Sequence, residues 1–312
     1  MFRWTKIPMV AALTLGLAVA GCGDSTGPDA PATFKVMLTD GPAEYVASAN
    51  VEIGEVWAIQ AGGPPILLNS EGGSYDLLEL QNGVMTELAT AELDASIRIL
   101  QLRLHVESAD VTLGDDGAGT EYEFASGGKT QDLFIPSGAQ SGIKINLRSV
   151  DGNEDGAGVD LVPGETILAV VDMDVEQNFV FTGDTSDPTM LPDVLFTPLL
   201  RATVEDVAGS ISGTITYPTS ATPDEDGEYA DIDAVLDLDN STVPVEEMET
   251  KTASAVADPV DGTYTIYFLS PGTYDVSASA IIDGTPYPVA PVPPLSVVVG
   301  DGEDVTGVDF TL

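Results

Sequence analysis

The chain has 312 residues, 43% of them hydrophobic, with 10 Lys and Arg against 51 Asp and Glu and a formal net charge of −41. That length suits two or so domains. The charge excludes nucleic acid as a partner, because phosphate backbones are repelled, and it disfavours contact with anionic lipid headgroups. Short apolar runs recur throughout, so a disordered acidic chain is also excluded. The acidity fits a solvated, self-repelling surface, adaptation to saline water, or sites for hard cations; composition does not separate these.

Residues 1–21 have the layout of an export signal. Arg3 and Lys6 form a basic start, and Met9–Val19 is an apolar run too short for an ordinary membrane span of about 20 residues. Val19, Ala20 and Gly21 then lead into Cys22, the sole cysteine. One cysteine makes no intramolecular disulfide, so its place calls for its own explanation. "VAGC" resembles the bacterial lipobox, which implies acylation of Cys22, cleavage before it, and attachment to the membrane through that residue. Gly23, rather than Asp, follows the cysteine; by the sorting rule familiar from enteric bacteria this favours the outer membrane. An ordinary cleaved signal with a buried thiol is the alternative. Residues 22–32, "CGDSTGPDAPA", have the composition of a flexible tether.

Strand patterns follow. "TFKVMLT" (Thr33–Thr39) alternates. In "VEIGEVWAI" the pattern places Val51, Ile53, Glu55, Trp57 and Ile59 mostly on one face, with Trp57 in the core. In "IRILQLRLHV", Leu100, Leu102, Leu104 and Val106 point one way and Gln101, Arg103 and His105 the other. Further strands are expected at residues 121–125, 143–147, 166–175, 178–182 and 199–204. Residues 77–91 hold a turn signal, "LQNGV", and then "MTELATAEL", which suits one or two helical turns. A linker is expected at 205–208, separating a domain at 33–204 from one at 209–312. The second set contains "GSISGTITYP", "DIDAVLDLD" and "DGTYTIYFLSPGTYDVSA", the last being two strands joined through "SPG". "YPVAPVPPL" must be loop or sheet edge, since proline removes a ladder donor. Short strands with frequent turns predict an all-β chain of two β-sandwich domains.

Two resemblances rest on these residues. "LTDGPAEY" (Leu38–Tyr45), "VEIGEVWAI", "YDLLELQNG" (Tyr75–Gly83), "IRILQLRL" and "LFIPSGAQSGIKINL" (Leu133–Leu147) make residues 33 to about 204 similar to a family of unknown function found in bacterial and archaeal lipoproteins. The resemblance implies an exported β-sandwich and no established activity; the acidic stretch Asp151–Asp160 departs from the pattern. "SISGTIT", "DGTYTIYFLSPGTYDVSASA" and "VTGVDFTL" make residues 209–312 resemble the carboxypeptidase regulatory-like domain, a transthyretin-like sandwich. Some relatives of that fold bind carbohydrate or protein partners, and many are spacers.

Catalysis needs a positioned nucleophile, base or metal. The only histidine, His105, lies on a polar strand face, where a solvated role is the simpler reading, and no serine-elbow or zinc-type motif occurs. With 51 acidic residues, paired carboxylates of the glycosidase kind are expected by chance. One metal pattern stands out: Asp151, Asn153, Asp155 and Gly156 begin like a calcium loop, with Asp160 closing the shell where Val162 replaces the usual Glu. An acidic hairpin without an ion is the alternative. Asp224–Asp233 is a weaker second candidate, for which a solvated loop is preferred. Trp57, Tyr75, Tyr122, Tyr217 and Tyr229 are available for a sugar platform, although such residues more often pack across strands. The expected function is a lipid-anchored envelope binding or structural module without catalysis, with no certain cofactor and a neutral glycan or a protein as partner. The alternatives are a carbohydrate-binding accessory protein and, more distantly, a carboxylate-based glycoside hydrolase.

Overall fold

The computed structural model describes residues 30–41, 45–115, 121–135, 141–147, 158–185, 187–198, 200–205, 208–217, 230–236, 252–258, 260–282, 285–287, 290–291 and 294–311. The first strand, β1 (Ala32–Thr39), shows why the chain folds as it does: Ala32, Phe34, Val36 and Leu38 are buried while Thr33, Lys35 and Met37 are less so, the two-residue period of a sheet with one inner face. It is followed by β2 (Val46–Gln60), β3 (Ile66–Asn69), β4 (Gly73–Asp76), β5 (Thr86–Leu93), β6 (Arg98–Leu113), β7 (Thr130–Asp132), β8 (Ile143–Asn146), β9 (Val159–Asp160), β10 (Thr166–Asp172), the one-turn helix α1 (Val175–Asn178), β11 (Phe179–Phe181), β12 (Val194–Phe196) and β13 (Arg201–Val204). A four-stranded sheet runs β13-β10-β1-β5, and a seven-stranded sheet is built on β2 and β6, with β3 and β4 on one side and β7, β8 and β9 on the other. Their inner faces share one cluster of buried side chains, including Phe34, Leu38, Ile53, Leu102, Leu104, Val171 and Val204.

The rest of the chain supplies β14 (Gly209–Thr216), β15 (Ala230–Leu236), β16 (Thr252–Val256), β17 (Thr263–Leu269), β18 (Gly272–Ile282), β19 (Thr285–Tyr287), β20 (Leu295–Val299), β21 (Asp304–Thr306) and β22 (Phe310–Thr311). One sheet is β17-β14-β21 with β22 also on β14; the other is β16-β15-β18-β19 with β20 also on β18. They enclose a second cluster, with Ile211, Ile232, Tyr264, Ile266, Leu269, Val276 and Phe310. The architecture is all-β, with two separate cores. Proline-bearing β19 lies at a sheet edge, where a missing donor is tolerated.

Four expectations are corrected. Trp57 is not in the core. Between Ile53 and Val56 the β2–β6 register shifts, and a bulge reverses which residues face inward; Val51, Ile53, Val56 and Ala58 are buried, and Trp57 is turned to the outer face, half-buried. A similar register shift between Ile59 and Gln60 takes Leu100 out of the buried set and puts Ile99 in it. The stretch Thr86–Leu93 is strand β5, not helical turns, because it pairs along β1; the helical element before it is a 3-10 turn at Leu77–Leu80, capped by Asp76. Residues 121–125 form no strand, only isolated bridges from Glu121 to Asp115 and from Phe124 to Leu191. As expected, "SPG" joins two strands, β17 and β18, which lie in different sheets.

A candidate functional site at the seam between the two cores

Strand register brings distant residues to one sheet end. On the parallel β1–β10 pair, Thr39 is opposite Asp172, and on the antiparallel β10–β13 pair, Asp172 is opposite Arg201. Thr39, Asp172 and Arg201 therefore form one row. Asp40 leaves β1 one residue later, and Asp174 caps α1, accepting from the Gln177 N–H at 3.2 Å. Asp40, Asp172 and Asp174 are 6%, 6% and 4% exposed, unusual for carboxylates, which are rarely buried unless paired.

Each has partners. The Val175 N–H donates to Asp40 Oδ1 at 2.9 Å. Arg201 Nη2 is ion-paired with Asp172 Oδ2. The Ser254 hydroxyl, from β16, donates to Asp174 Oδ2 at 2.8 Å. Arg201 also reaches into the second half of the chain, donating through Nη1 to the Phe268 carbonyl at 3.1 Å and through Nη2 to that of Tyr267. Those carbonyls are available because β17 is bulged: Gly209 and Ile211 of β14 face Leu269 and Ile266, and Phe268 takes a left-handed φ of 54°. A bulge re-aims backbone groups, and a left-handed bulky residue persists only where its surroundings hold it. Gly41 fits against Asp174 and Ser254, where an added Cβ would meet atoms at 3.1 and 3.2 Å.

The turn "QNG" completes the seam. The Thr39 hydroxyl donates to the carbonyls of Leu80 (3.1 Å) and Val84 (2.9 Å), pinning the turn to β1. Asn82 and Gly83 take φ of 57° and 79°, and a Cβ on Gly83 would lie 3.5 Å from the Tyr267 ring. The segments "LTDG" and "YDLLELQNG", separate in the sequence, thus meet where the two cores join.

Three buried carboxylates face one guanidinium. Burial first, then the charges of Asp174 and Asp172, push Asp40 well above the usual carboxylate range, against N–H donors from Val175 and Gly41. Burial and the Asp172 charge push Asp174 up to about 7, opposed by Ser254, Gln177 and Arg201. The cluster is thus built to retain a proton that an exposed aspartate gives up. Asp40 Oδ2, Asp172 Oδ1 and Arg201 Nε lack hydrogen-bond partners among the described residues. These side chains line a small polar pocket with Thr39, Ser254 and Tyr267, with room for about one water. Among the described residues no group of three His, Cys, Asp or Glu side chains is placed to hold a metal ion.

The residues singled out from the sequence are elsewhere. Cys22, Asp151, Asn153, Asp155 and Tyr229 lie outside the described residues, as does most of Asp224–Asp233. Asp160 is in β9, ion-paired with Arg98 at 3.1 Å. His105 is on the outer face of β6, its ring against Gly142, remote in sequence and sheet from the seam. Tyr45 and Tyr122 pack edge-to-face, with ring centroids 5.3 Å apart. Asp40, Asp172, Asp174 and Arg201 were not singled out; only Asp40 stood in a flagged motif, "LTDGP". No helix among the described residues is long and apolar enough to cross a membrane.

No curated protein matches the chain. Among solved structures, an ancillary pilin of Streptococcus shares 13% identity at a TM-score of 0.20, covering 89% of this chain and 62% of its own; this chain thus spans less than two thirds of that pilin. A putative adhesin from Bacteroides ovatus shares 12% identity at a TM-score of 0.22, covering 93% and 91%. The major pilin of Streptococcus pyogenes shares 8% at a TM-score of 0.15, covering 91% and 98%. A family model, that of a domain of unknown function, matches residues 31–190, which hold Asp40, Asp172, Asp174 and the "QNG" turn. The chain belongs to this family, DUF4382.

Proposed function

We propose that the chain is an exported, lipid-anchored module of the cell envelope that presents its sheet faces to a partner and carries out no catalysis. The observation that carries this reading is the use made of the seam. Its buried titratable groups are engaged with one another, with backbone N–H groups and with residues of both cores, and the space between them is water-sized. A catalytic carboxylate must meet a substrate; these are instead spent on fixing one set of sheets against the other. The residues from Gly209 onward act, in this reading, as a carboxypeptidase regulatory-like module, and Cys22 is the attachment to the outer membrane. The calcium reading of Asp151, Asn153, Asp155 and Asp160 carries less, since Arg98 already neutralises Asp160.

The test has two arms. Replacing Cys22 by Ala should move the protein from the membrane fraction to the soluble one; unchanged retention would contradict the anchor. The purified chain should show no turnover on a panel of glycosides, esters and peptides; turnover abolished by changing one carboxylate would overturn the non-enzymatic reading.

A further inference from the structure

The outer face of the seven-stranded sheet carries an arrangement that the alternation pattern did not anticipate. The bulge that turns Trp57 outward places it in a row across four strands. Leu67 on β3 is opposite Trp57, Trp57 is opposite Arg103 on β6, and Arg103 is opposite Lys144 on β8. Strands are spaced about 4.8 Å apart, so Trp57 and Lys144 are separated by roughly 10 Å at the backbone. The row is held in place by its neighbours. The Trp57 indole N–H donates to Glu55 Oε2 at 2.8 Å. Arg103 Nε donates to Gln101 Oε1 at 3.1 Å, and Gln101 Nε2 donates to Asn146 Oδ1 at 2.8 Å.

The charge pattern sets Arg103 and Lys144 apart. The chain has 10 basic residues among 51 acidic ones. Lys35, Arg98, Lys129 and Arg201 each have a carboxylate partner. Arg103 and Lys144, side by side, have none among the described residues. Of the acidic groups on β2, Glu55, two residues from Trp57, accepts the indole N–H, and Glu52, farther along the strand, accepts from Ser108. Beyond about 8 Å the charge of the rest of the chain is screened at physiological salt.

We propose that this face binds an acidic glycan, with a uronate ring packed on the Trp57 indole and its carboxylate on the Arg103 guanidinium, Lys144 holding the next acidic group along the chain. This rests on the reading of the protein as a binding module. A planar guanidinium takes a carboxylate through two parallel hydrogen bonds, an aromatic ring offers a flat apolar surface with little rotamer freedom to lose, and side chains fixed beforehand lower the ordering cost of binding. The indole, with Glu55 on its N–H edge and two cations on the strands beside it, suits a ring-bearing anion better than an acidic peptide, which has no rigid flat face to place there.

In the chain from Cys22 onward Trp57 reports on its own site, because the only other tryptophan, Trp4, precedes it. The exported chain from Cys22 onward, with Cys22→Ala to keep it in solution, is titrated with hexagalacturonate while the Trp57 emission is followed. A saturable change is expected, weakened by added salt and weakened on the order of tenfold by Arg103→Gln or Lys144→Gln, as for loss of a charge-assisted hydrogen bond. Circular dichroism of the variants should match the unsubstituted chain, since both positions are on a solvent face. Equal response to a neutral hexasaccharide, undiminished in Arg103→Gln, would overturn the acidic class. Equal response to hexaglutamate would overturn the glycan in favour of an acidic peptide. No response to hexagalacturonate would overturn the site, and retention of the same protein on other insoluble polysaccharides would then leave the binding-module reading intact.

Discussion

The seam and the outer face of the seven-stranded sheet treat charge in opposite ways. At the seam, acidic groups are withdrawn from water into a cluster with a surplus of carboxylates over cations; on the outer face, cations are left unpaired in a chain whose net charge is −41. Burial makes the first arrangement costly unless hydrogen bonds and ion pairs offset it; Val175, Gln177, Ser254 and Arg201 supply donors to Asp40, Asp174 and Asp172, while Asp40 Oδ2 and Asp172 Oδ1 have no hydrogen-bond partner among the described residues. Exposure makes the second cheap for the folded chain and useful to a ligand. Charge inside holds the two cores together; charge outside is free to recognise.

The contrast breaks most easily at Arg201. Arg201→Ala leaves Asp172 buried without a counter-charge and removes the contacts to Tyr267 and Phe268. A loss of about 3–5 kcal/mol is expected, measured by chemical denaturation at pH 7. A loss below about 1 kcal/mol would mean that the ion pair is solvated and the seam looser than described.

Next in size is the response to pH. A carboxylate whose pKa is raised on folding takes up a proton as the chain folds. Its contribution to stability is fully present below the unfolded value, near 3.8, and is lost as pH rises through the folded value, about 7 for Asp174. Stability should therefore fall between about pH 4 and pH 7, with a slope of up to about 1.4 kcal/mol per pH unit for each proton retained. General charge repulsion acts in the same direction, so the informative comparison is with Asp40→Asn and Asp174→Asn, which keep the shape and remove the titration. Both should flatten the slope; slopes parallel to that of the unsubstituted chain would assign the effect to overall charge.

Smaller still is Ser254→Ala, which removes one hydroxyl donor from Asp174 across the seam. A loss of about 1–2 kcal/mol is expected, as for a bond to a charged group, together with a further rise of the Asp174 pKa, read by carboxylate NMR. An unchanged pKa would show that the bond is not formed in solution.

What was legible in the sequence follows from which interactions are local. Alternation in Thr33–Thr39 and Ile97–Val106 revealed strands, because a half-buried strand writes its inner face at every second residue. Trp57 was misplaced because the period holds only between bulges, and nothing local in "VEIGEVWAI" beyond its glycine marks the slip. "TELATAEL" carries Ala, Leu and Glu, all good helix formers, yet pairing along β1 overrides that preference. The seam was hidden for a different reason. Asp40, Asp172, Arg201 and Ser254 meet through strand register, and among 51 acidic residues no short-range pattern distinguishes those that end up buried.

The most direct test of this division of labour is a double variant, Arg103→Gln with Lys144→Gln, measured for both stability and hexagalacturonate affinity. Surface substitutions away from special features change stability by within about 0.5 kcal/mol, so the account predicts an unaltered unfolding midpoint beside a loss of affinity of tenfold or more. Unaltered affinity, or an affinity loss matched by a large loss of stability, would contradict it.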